Sequence, residues 1–422
     1  VEIRAPRGTE DLFGEDLELV VALEERFREH VRRYGFREIR TPILEYAELF
    51  VRSVGPTTDI VEKEMFTFSD RGGRILALRP EGTAPVVRAY VNHKLYADLL
   101  PVRLAYAGPM FRYERPQAGR QRQFHQLGVE VLGGEGPELD AEVIALGHEF
   151  LVQLGLGDVR LELSSVGCPV CRPRYLERLR EYFLPHRDEL CPDCQRRLER
   201  NPLRILDCKL DRDKDFVREA PKLFDSLCDD CRRYHEEVAA HLASLGIPFV
   251  VNPHLVRGLD YYVRTAFEWV DASLGAQDAV GGGGRYDGLV AELGGPPHGG
   301  IGFALGVERL VLGLKNRGIR LAPPQHVDVY VAAFGGGAIR RLPLLIRLRR
   351  AGFVALGDAD TEKVRTLLRR ADRLGARVVV LVGDEEVARG EVAVKDLASG
   401  AQEAVREDEL VAWLRRHLAQ DR

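Results

Sequence analysis

The stretch Phe124-His125-Gln126-Leu127-Gly128-Val129-Glu130-Val131-Leu132 constrains the fold more than any other part of this chain. Read as a strand whose side chains alternate between two faces, it places Phe124, Gln126, Gly128 and Glu130 on one side. His125, Leu127, Val129 and Val131 fall on the other, an apolar face that belongs against a core. The first face lines up an aromatic ring, an amide and a carboxylate, and Gly128 is expected to leave room there for a ligand. Met110, Arg112 and Glu114 share a face in the facing strand, and Arg115, Arg120 and Arg122 occupy the loop between. A solvated hairpin with a charged tip would show the same pattern.

Short strand-like segments at 75–78, 102–107 and 159–163 surround this hairpin, so an antiparallel sheet fits better than a repeating strand–helix array. Before them, Leu17, Val20, Leu23, Phe27, Val31 and Tyr34 recur at helical spacing over 15–34, and Gly35 supplies the stop. Between about 168 and 245 the texture changes to cysteines, prolines and charged helical stretches with nearly balanced charge, as in an insertion. The sheet resumes at 249–251 and 261–270. Gly281–Gly284 permits backbone approach to a ligand or forms a flexible loop. A glycine-spaced segment from Gly299 to Gly306 then enters a helix, and Pro323-Pro324 closes the unit. Beyond it, apolar runs at 327–332 and 377–382 alternate with helical stretches at 338–350 and 361–374, which suggests a small domain with a parallel or mixed sheet.

At 422 residues the chain exceeds one ordinary core, and 45% hydrophobic with 30% charged residues describes a soluble globular protein. Its apolar runs are far shorter than a membrane span, and the start lacks a signal-peptide layout, so a cytoplasmic location is expected. With 61 basic and 65 acidic residues the net charge is −4, and any nucleic-acid surface must be local. Of seven cysteines, six form the pairs Cys168/Cys171, Cys191/Cys194 and Cys228/Cys231. In a chain without an export signal this favours metal or free thiols over disulfides. Any two pairs could supply one tetrahedral structural zinc site, and Cys208 reads as a spare thiol.

Three further segments carry polar residues at suggestive spacing: Arg79-Pro80-Glu81-Gly82-Thr83, Arg257-Gly258-Leu259-Asp260-Tyr261-Tyr262 and Gly300-x-Gly302-x-x-x-Gly306-x-Glu308-Arg309. In the second, strand alternation puts Asp260 and Tyr262 on one face and turns Tyr261 the other way. The glycines miss the dinucleotide-binding spacing, and the Gly-Lys-Ser/Thr phosphate loop, His-Glu-x-x-His and serine nucleophile elbow are all missing from the sequence.

In order along the chain, these segments resemble the signature motifs of class II aminoacyl-tRNA synthetases. Phe36 to Leu44, with Pro42, resembles motif 1, the dimer-interface element. Phe111 through Glu130 resembles motif 2, and Gly300 through Leu310, with Arg309, resembles motif 3. Arg257 through Tyr262, Gly283 through Leu289 and the opening Arg7-Gly8-Thr9-Glu10-Asp11 are similar to segments of the histidine-specific members. The resemblance implies an α+β fold, with an antiparallel sheet flanked by helices in a catalytic domain at 1–167 and 246–322. It further implies an insertion domain at 168–245 and a C-terminal α/β anticodon-binding domain at 326–422. A regulatory paralogue of this fold, as a family, lacks the Arg-Gly-Leu-Asp-Tyr-Tyr segment and the anticodon domain.

The implied reaction joins L-histidine to tRNA(His) through a histidyl-adenylate, consuming ATP with Mg2+ and releasing AMP and diphosphate, in a homodimer. By the same resemblance Arg112 and Arg257 contact the α-phosphate. Arg120 and Arg309 hold the distal phosphates or adenine, Phe124 stacks on adenine, and Glu114 reads its amino group. Glu81, Gly82 and Thr83, helped by Gln126, take the histidine amino group. Glu130, Tyr262 and Tyr286 surround the imidazole, with Tyr261 beside them. Arginine suits the crowding of carboxylate against triphosphate because it stays charged and binds phosphate oxygens in pairs.

Overall fold

The computed structural model describes residues 3–418 except 57, 98, 118, 207, 209, 256–258, 322–326 and 362. It divides into two compact units, Val1–Ala322 and Pro323–Arg422. In chain order the first unit contributes β1 (Arg37–Glu38), β2 (Leu44–Tyr46), β3 (Thr67–Ser69), β4 (Ile75–Leu78), β5 (Val102–Phe111), β6 (Gln123–Leu132), β7 (Arg160–Ser165), β8 (Phe249–Val251), β9 (Val263–Val270), β10 (Ala279–Arg285) and β11 (Gly300–Gly306). Strands β2, β4 and β3 form a small antiparallel sheet. The other eight form one sheet in the order β1-β5-β6-β11-β10-β9-β7-β8. Its interior pairs are antiparallel, and a parallel pair closes each edge, β1 on β5 and β8 on β7.

The alternation in β6 sorts as its sequence requires. Leu127, Val129 and Val131 are fully buried in the main core, against Phe27 of the helix Gly14–Arg33 and Phe150 of the helix Pro137–Gln153. Gly35, at φ 77°, stops the first of these helices in the left-handed conformation glycine favours. The opposite face carries Leu104, Tyr106, Met110, Tyr262 and Tyr286 around the helix Thr83–Asn92. The sheet thus has a structural face and a working face.

Two local expectations are corrected. Gly281–Gly284 is the middle of β10, in register with both β9 and β11, and not a loop. A Cβ on Gly283 would come within 2.0 Å of the Gly302 carbonyl oxygen, so the close approach is between strands. Residues 260 and 261 form a turn and β9 begins only at Val263, so strand alternation does not govern Tyr261 and Tyr262.

The 168–245 segment lies within the first unit. Its longer helices, Cys171–Phe183, Pro192–Arg200 and Asp229–Ser244, and two four-residue turns of helix enclose a small core of Tyr175, Leu179, Phe183, Ile205 and Val217 with buried cysteines. Val238 and Leu242, on the last of these helices, enter the main core.

The second unit contributes β12 (Val329–Ala333), β13 (Ala355–Leu356), β14 (Val378–Val382), β15 (Glu391–Asp396) and β16 (Gln402–Arg406). They are ordered β13-β12-β14-β15-β16, parallel across the first three and antiparallel beyond. Every residue of β12 and β14 is buried, because helices cover both faces.

Candidate active site

The working face opens into a cleft of ≈ 300 Å³ between the helix Thr83–Asn92, the β5–β6 hairpin and the glycine-rich strands. Its lining includes Glu81, Gly82, Thr83, Arg112, Glu114, Arg120, Phe124, Gln126, Tyr261, Tyr262, Tyr286 and Arg309, all anticipated from the sequence. Arg257 lies outside the described residues. Glu130 sits just beneath the cleft floor, 1% exposed.

One end of the cleft is acidic. Glu81 is buried, and its two carboxylate oxygens accept the backbone N–H groups of Thr83 at 2.6 Å and Ala84 at 2.9 Å, the open N-terminus of the helix they begin. The Thr83 hydroxyl donates to Glu130 Oε1 at 2.7 Å, and the Tyr286 hydroxyl donates to Glu130 Oε2. Burial, with Glu81 nearby, pushes the Glu130 carboxyl up to about 8 against the pull of these donors, and burial also raises Glu81. Arg285, next to Tyr286, is locked by Asp140 at 2.9 Å and Asp287 at 2.9 Å, so the tyrosine hangs from a buried ion pair.

The other end is basic. Arg112 donates through Nε to the Pro80 carbonyl at 2.9 Å and stacks over Phe124, 5.3 Å from the ring centre. Arg120 pairs with Glu114, and Arg309 donates to the carbonyls of Gly119 and Ala279. Burial lowers the affinity of Arg120 and Arg309 for their protons, and the crowding of Arg112 adds to it in both. They stay ionised, so three positive charges converge at this end of the cleft.

Between the two ends lie two polar atoms without a hydrogen-bond partner among the described residues, Gln126 Oε1 and the Tyr261 hydroxyl. Buried polar groups are seldom left unpaired except where a ligand or water completes them. Tyr261, expected to point away, faces the cleft and packs edge-on against Tyr286 with ring centres 5.7 Å apart. The turn at 260 and 261 turns both tyrosines inward.

Gly128 does not open space for a ligand directly. Its Cβ position is 2.2 Å from the ring of Tyr106, its cross-strand partner. Gly302 has the same role for Glu130, whose Oε2 would lie 2.0 Å from an added Cβ. The glycines admit the side chains that build the pocket. Tyr106, whose hydroxyl lies 3.4 Å from Glu130 Oε1, was missed by sequence reasoning, although an aromatic opposite a strand glycine marks such a fit. Glu268 was missed as well. It lines the basic end, and its signal was a carboxylate in an apolar strand, paired with Gly282. Glu308, also at the rim, accepts the His125 amide at 2.9 Å.

The cysteines also depart from expectation. Cys168, Cys171, Cys228 and Cys231 form one cluster, while Cys191, Cys194 and Asp211 form a second with Cys208, which is therefore no spare thiol. Cys208 and Asp211 come back to Cys191 and Cys194, so the middle pair finds its partners close by in the sequence.

Comparison with known proteins agrees with this geometry. A family model described as histidyl-tRNA synthetase matches residues 8–169 and 196–310, and one described as an anticodon binding domain matches 329–417. The chain is 55% identical over 401 residues to the histidine–tRNA ligase of Moorella thermoacetica, covering 95% of each, and 49% identical over 411 residues to that of Pelotomaculum thermopropionicum, covering 97% of each. The crystal structure of apo histidyl-tRNA synthetase from Staphylococcus aureus superposes with a TM-score of 0.83 at 40% identity, covering 98% of this chain and all of that one. A two-ended cleft on a class II sheet, in a chain matched over nearly its full length, admits one assignment: the chain belongs to the histidyl-tRNA synthetase family.

Proposed function

We propose that this cleft joins L-histidine to ATP, giving histidyl-adenylate and diphosphate, and then passes the histidyl group to tRNA(His) with release of AMP. The observation that carries the reading is the polarity of the cleft. Glu81, Glu130 and the Gln126 carbonyl suit an ammonium and an imidazole, and Arg112, Arg120 and Arg309 suit a triphosphate. In the first step the histidine carboxylate oxygen attacks the α-phosphorus and the diphosphate leaves. Negative charge moves along the phosphate chain, and fixed guanidinium groups stabilise it without reorganising. No protein nucleophile enters, so the contribution is alignment and charge.

In this reading Arg112 holds the α-phosphate, helped by Arg257 on the strength of its motif. Arg120 and Arg309 hold the distal phosphates or adenine, with Phe124 against the base and Glu114 at its amino group. ATP enters as its magnesium complex. Glu268 and Glu308 offer the one or two carboxylates that Mg2+ uses beside phosphate oxygens. Thr83 and Glu81 with Gln126 take the histidine amino group, and Glu130, Tyr262, Tyr286 and Tyr261 surround its ring. Buried groups that pair both ring nitrogens penalise analogues that lack them.

Residues 1–167 with 246–322 form the catalytic body, 168–245 an insertion whose cysteine clusters hold metal structurally, and 326–422 read the anticodon. The protein works in the cytoplasm as a homodimer. Leu44, Tyr46, Phe68 and Ile75, each more than 40% exposed on the β2–β4–β3 sheet beside motif 1, support the dimer. Among the described residues no helix is long and apolar enough to cross a membrane. ATP–diphosphate exchange with each amino acid in turn tests the whole reading. Histidine alone should drive exchange, and exchange driven by another amino acid, or by none, overturns it.

A further inference from the structure

We propose that the 168–231 segment binds two zinc ions, one at Cys168, Cys171, Cys228 and Cys231 and a second at Cys191, Cys194, Cys208 and Asp211. In the first cluster Cys168 Sγ lies 3.7 Å from Cys171 Sγ and 3.8 Å from Cys228 Sγ, and Cys171 Sγ lies 3.7 Å from Cys231 Sγ. A disulfide would bring a pair to about 2.05 Å. Four thiolates at the corners of a tetrahedron, each about 2.3 Å from a central zinc, stand about 3.8 Å apart. The observed spacing is that of the tetrahedral edge.

The second cluster repeats the spacing, with Cys191 Sγ 3.8 Å from Cys208 Sγ, and all four of its ligand atoms lie within 4.8 Å of one another. Asp211 is 1% exposed. Its Oδ2 accepts the Cys191 amide at 2.9 Å and its Oδ1 meets Lys214 Nζ at 2.8 Å, contacts that orient a ligating carboxylate. Three thiolates and a carboxylate around a dication leave two negative charges, and Lys214 offsets one of them. Sulfur-rich sites with one oxygen ligand suit zinc better than magnesium or calcium.

Backbone geometry prepares the sulfurs for charge. The Cys168 amide points at Cys171 Sγ at 3.2 Å, Val170 N at Cys168 Sγ at 3.4 Å and Cys194 N at Cys191 Sγ at 3.5 Å. Cys191 and Cys228 are each the residue from which a helix starts, Pro192–Arg200 and Asp229–Ser244. The core of this segment is small and its central helices are four residues long, the situation in which domains rely on metal.

The first zinc also reaches the cleft, a step that rests on the functional reading above. Arg172 follows Cys171 and donates to the carbonyls of Asp260 at 3.3 Å and Tyr262 at 3.1 Å. Val166 N to Arg264 O and Arg264 N to Gly167 O, each 2.8 Å, tie the two chain segments together. Arg204, between the ligands of the second zinc, lies 3.6 Å from the Asp260 carboxylate. The metals therefore hold the turn that carries Tyr261 and Tyr262, and Arg172 is a positioning residue.

The test is elemental analysis of the full chain purified without chelator. We expect about two zinc per chain, and about one in each of Cys171→Ser and Cys208→Ser. One zinc or less in the parent, or a Cys208→Ser protein that keeps as much as the parent, overturns the proposal. Should a variant fail to fold, cobalt titration of the metal-stripped parent replaces it. Thiolate-to-cobalt absorption should rise to two equivalents, and saturation at one overturns it. The positioning claim is read separately in Cys171→Ser, where the KM for histidine should rise several-fold with the KM for ATP unchanged. A histidine KM equal to the parent's, with one zinc lost, overturns that claim. Metal content is read without turnover, so failure of the synthetase reading leaves the zinc count intact and distinguishable.

Discussion

Glu130 concentrates the chemistry at the residue scale. It is buried beneath the acidic end of the cleft and takes hydroxyl donors from Thr83 and Tyr286. Glu130→Gln should raise the KM for histidine in diphosphate exchange by roughly five-fold or more, since a hydrogen bond lost from a buried group costs about 1–3 kcal/mol. The KM for ATP should stay within about two-fold of the parent's in the same assay, since no phosphate contact changes. The same residue shapes stability. Its carboxyl rises from an ordinary value of 4.5 to about 8 on folding. A raised value means the native state keeps a proton that the unfolded chain releases. Its contribution is thus complete below about 4.5 and lost as the pH climbs through 8. Urea denaturation of the ligand-free protein should show stability falling over that window, and a shallower fall in Glu130→Gln. Tyr261→Phe provides a contrast. Its hydroxyl is buried without a partner among the described residues, so removing it should leave stability unchanged or slightly higher while raising the KM for histidine. A stability loss above about 1 kcal/mol would show that the hydroxyl is bonded in the free protein.

At the scale of elements, the site depends on glycines at cleft-side positions of two neighbouring strands. Gly284 of β10 and Gly300 and Gly302 of β11 leave the space that Tyr262, Tyr286 and Glu130 fill, while Ile301, Phe303 and Leu305 of β11 point into the core. The alternation in β6 and the helical spacing in 15–34 were legible because each pattern needs only its own residues. The role of Gly281–Gly284 was not, since a run of glycines looks alike in a loop and in a strand until its neighbours are placed. Tyr261 was misread for a related reason, because alternation was extended across a turn. The helix Pro137–Gln153 is joined to β10 by the Asp140–Arg285 pair, with both side chains 1% exposed or less. Asp140→Ala should cost about 3–5 kcal/mol by stranding a buried guanidinium, read as a shift in denaturation midpoint. A loss under about 1 kcal/mol would mean that Arg285 finds water or another acceptor.

The whole molecule consists of two units with separate cores, and the family models divide in the same place. A chain ending at 322 should fold, form histidyl-adenylate at a rate close to the parent's, and charge tRNA(His) poorly at low tRNA concentration. Charging at the parental rate would remove the anticodon role from residues 326–422. A truncated protein that binds histidine and ATP but forms no adenylate would instead show that the second unit supports catalysis.

What the sequence determined by itself was local and ordered along the chain. It held the strand and helix periods, the motif residues of the cleft, the cysteine pairs and the change of texture at 168 and 323. These follow from covalent spacing, which a linear pattern records directly. The tertiary structure decided what depends on distant residues meeting. Tyr106 covers Gly128, Glu268 faces the arginines, Tyr261 turns inward, and Cys208 leaves its expected isolation to join Cys191, Cys194 and Asp211. Each of these is set by packing across strands or around a loop, where the partner's position follows from the fold and not from its number in the chain.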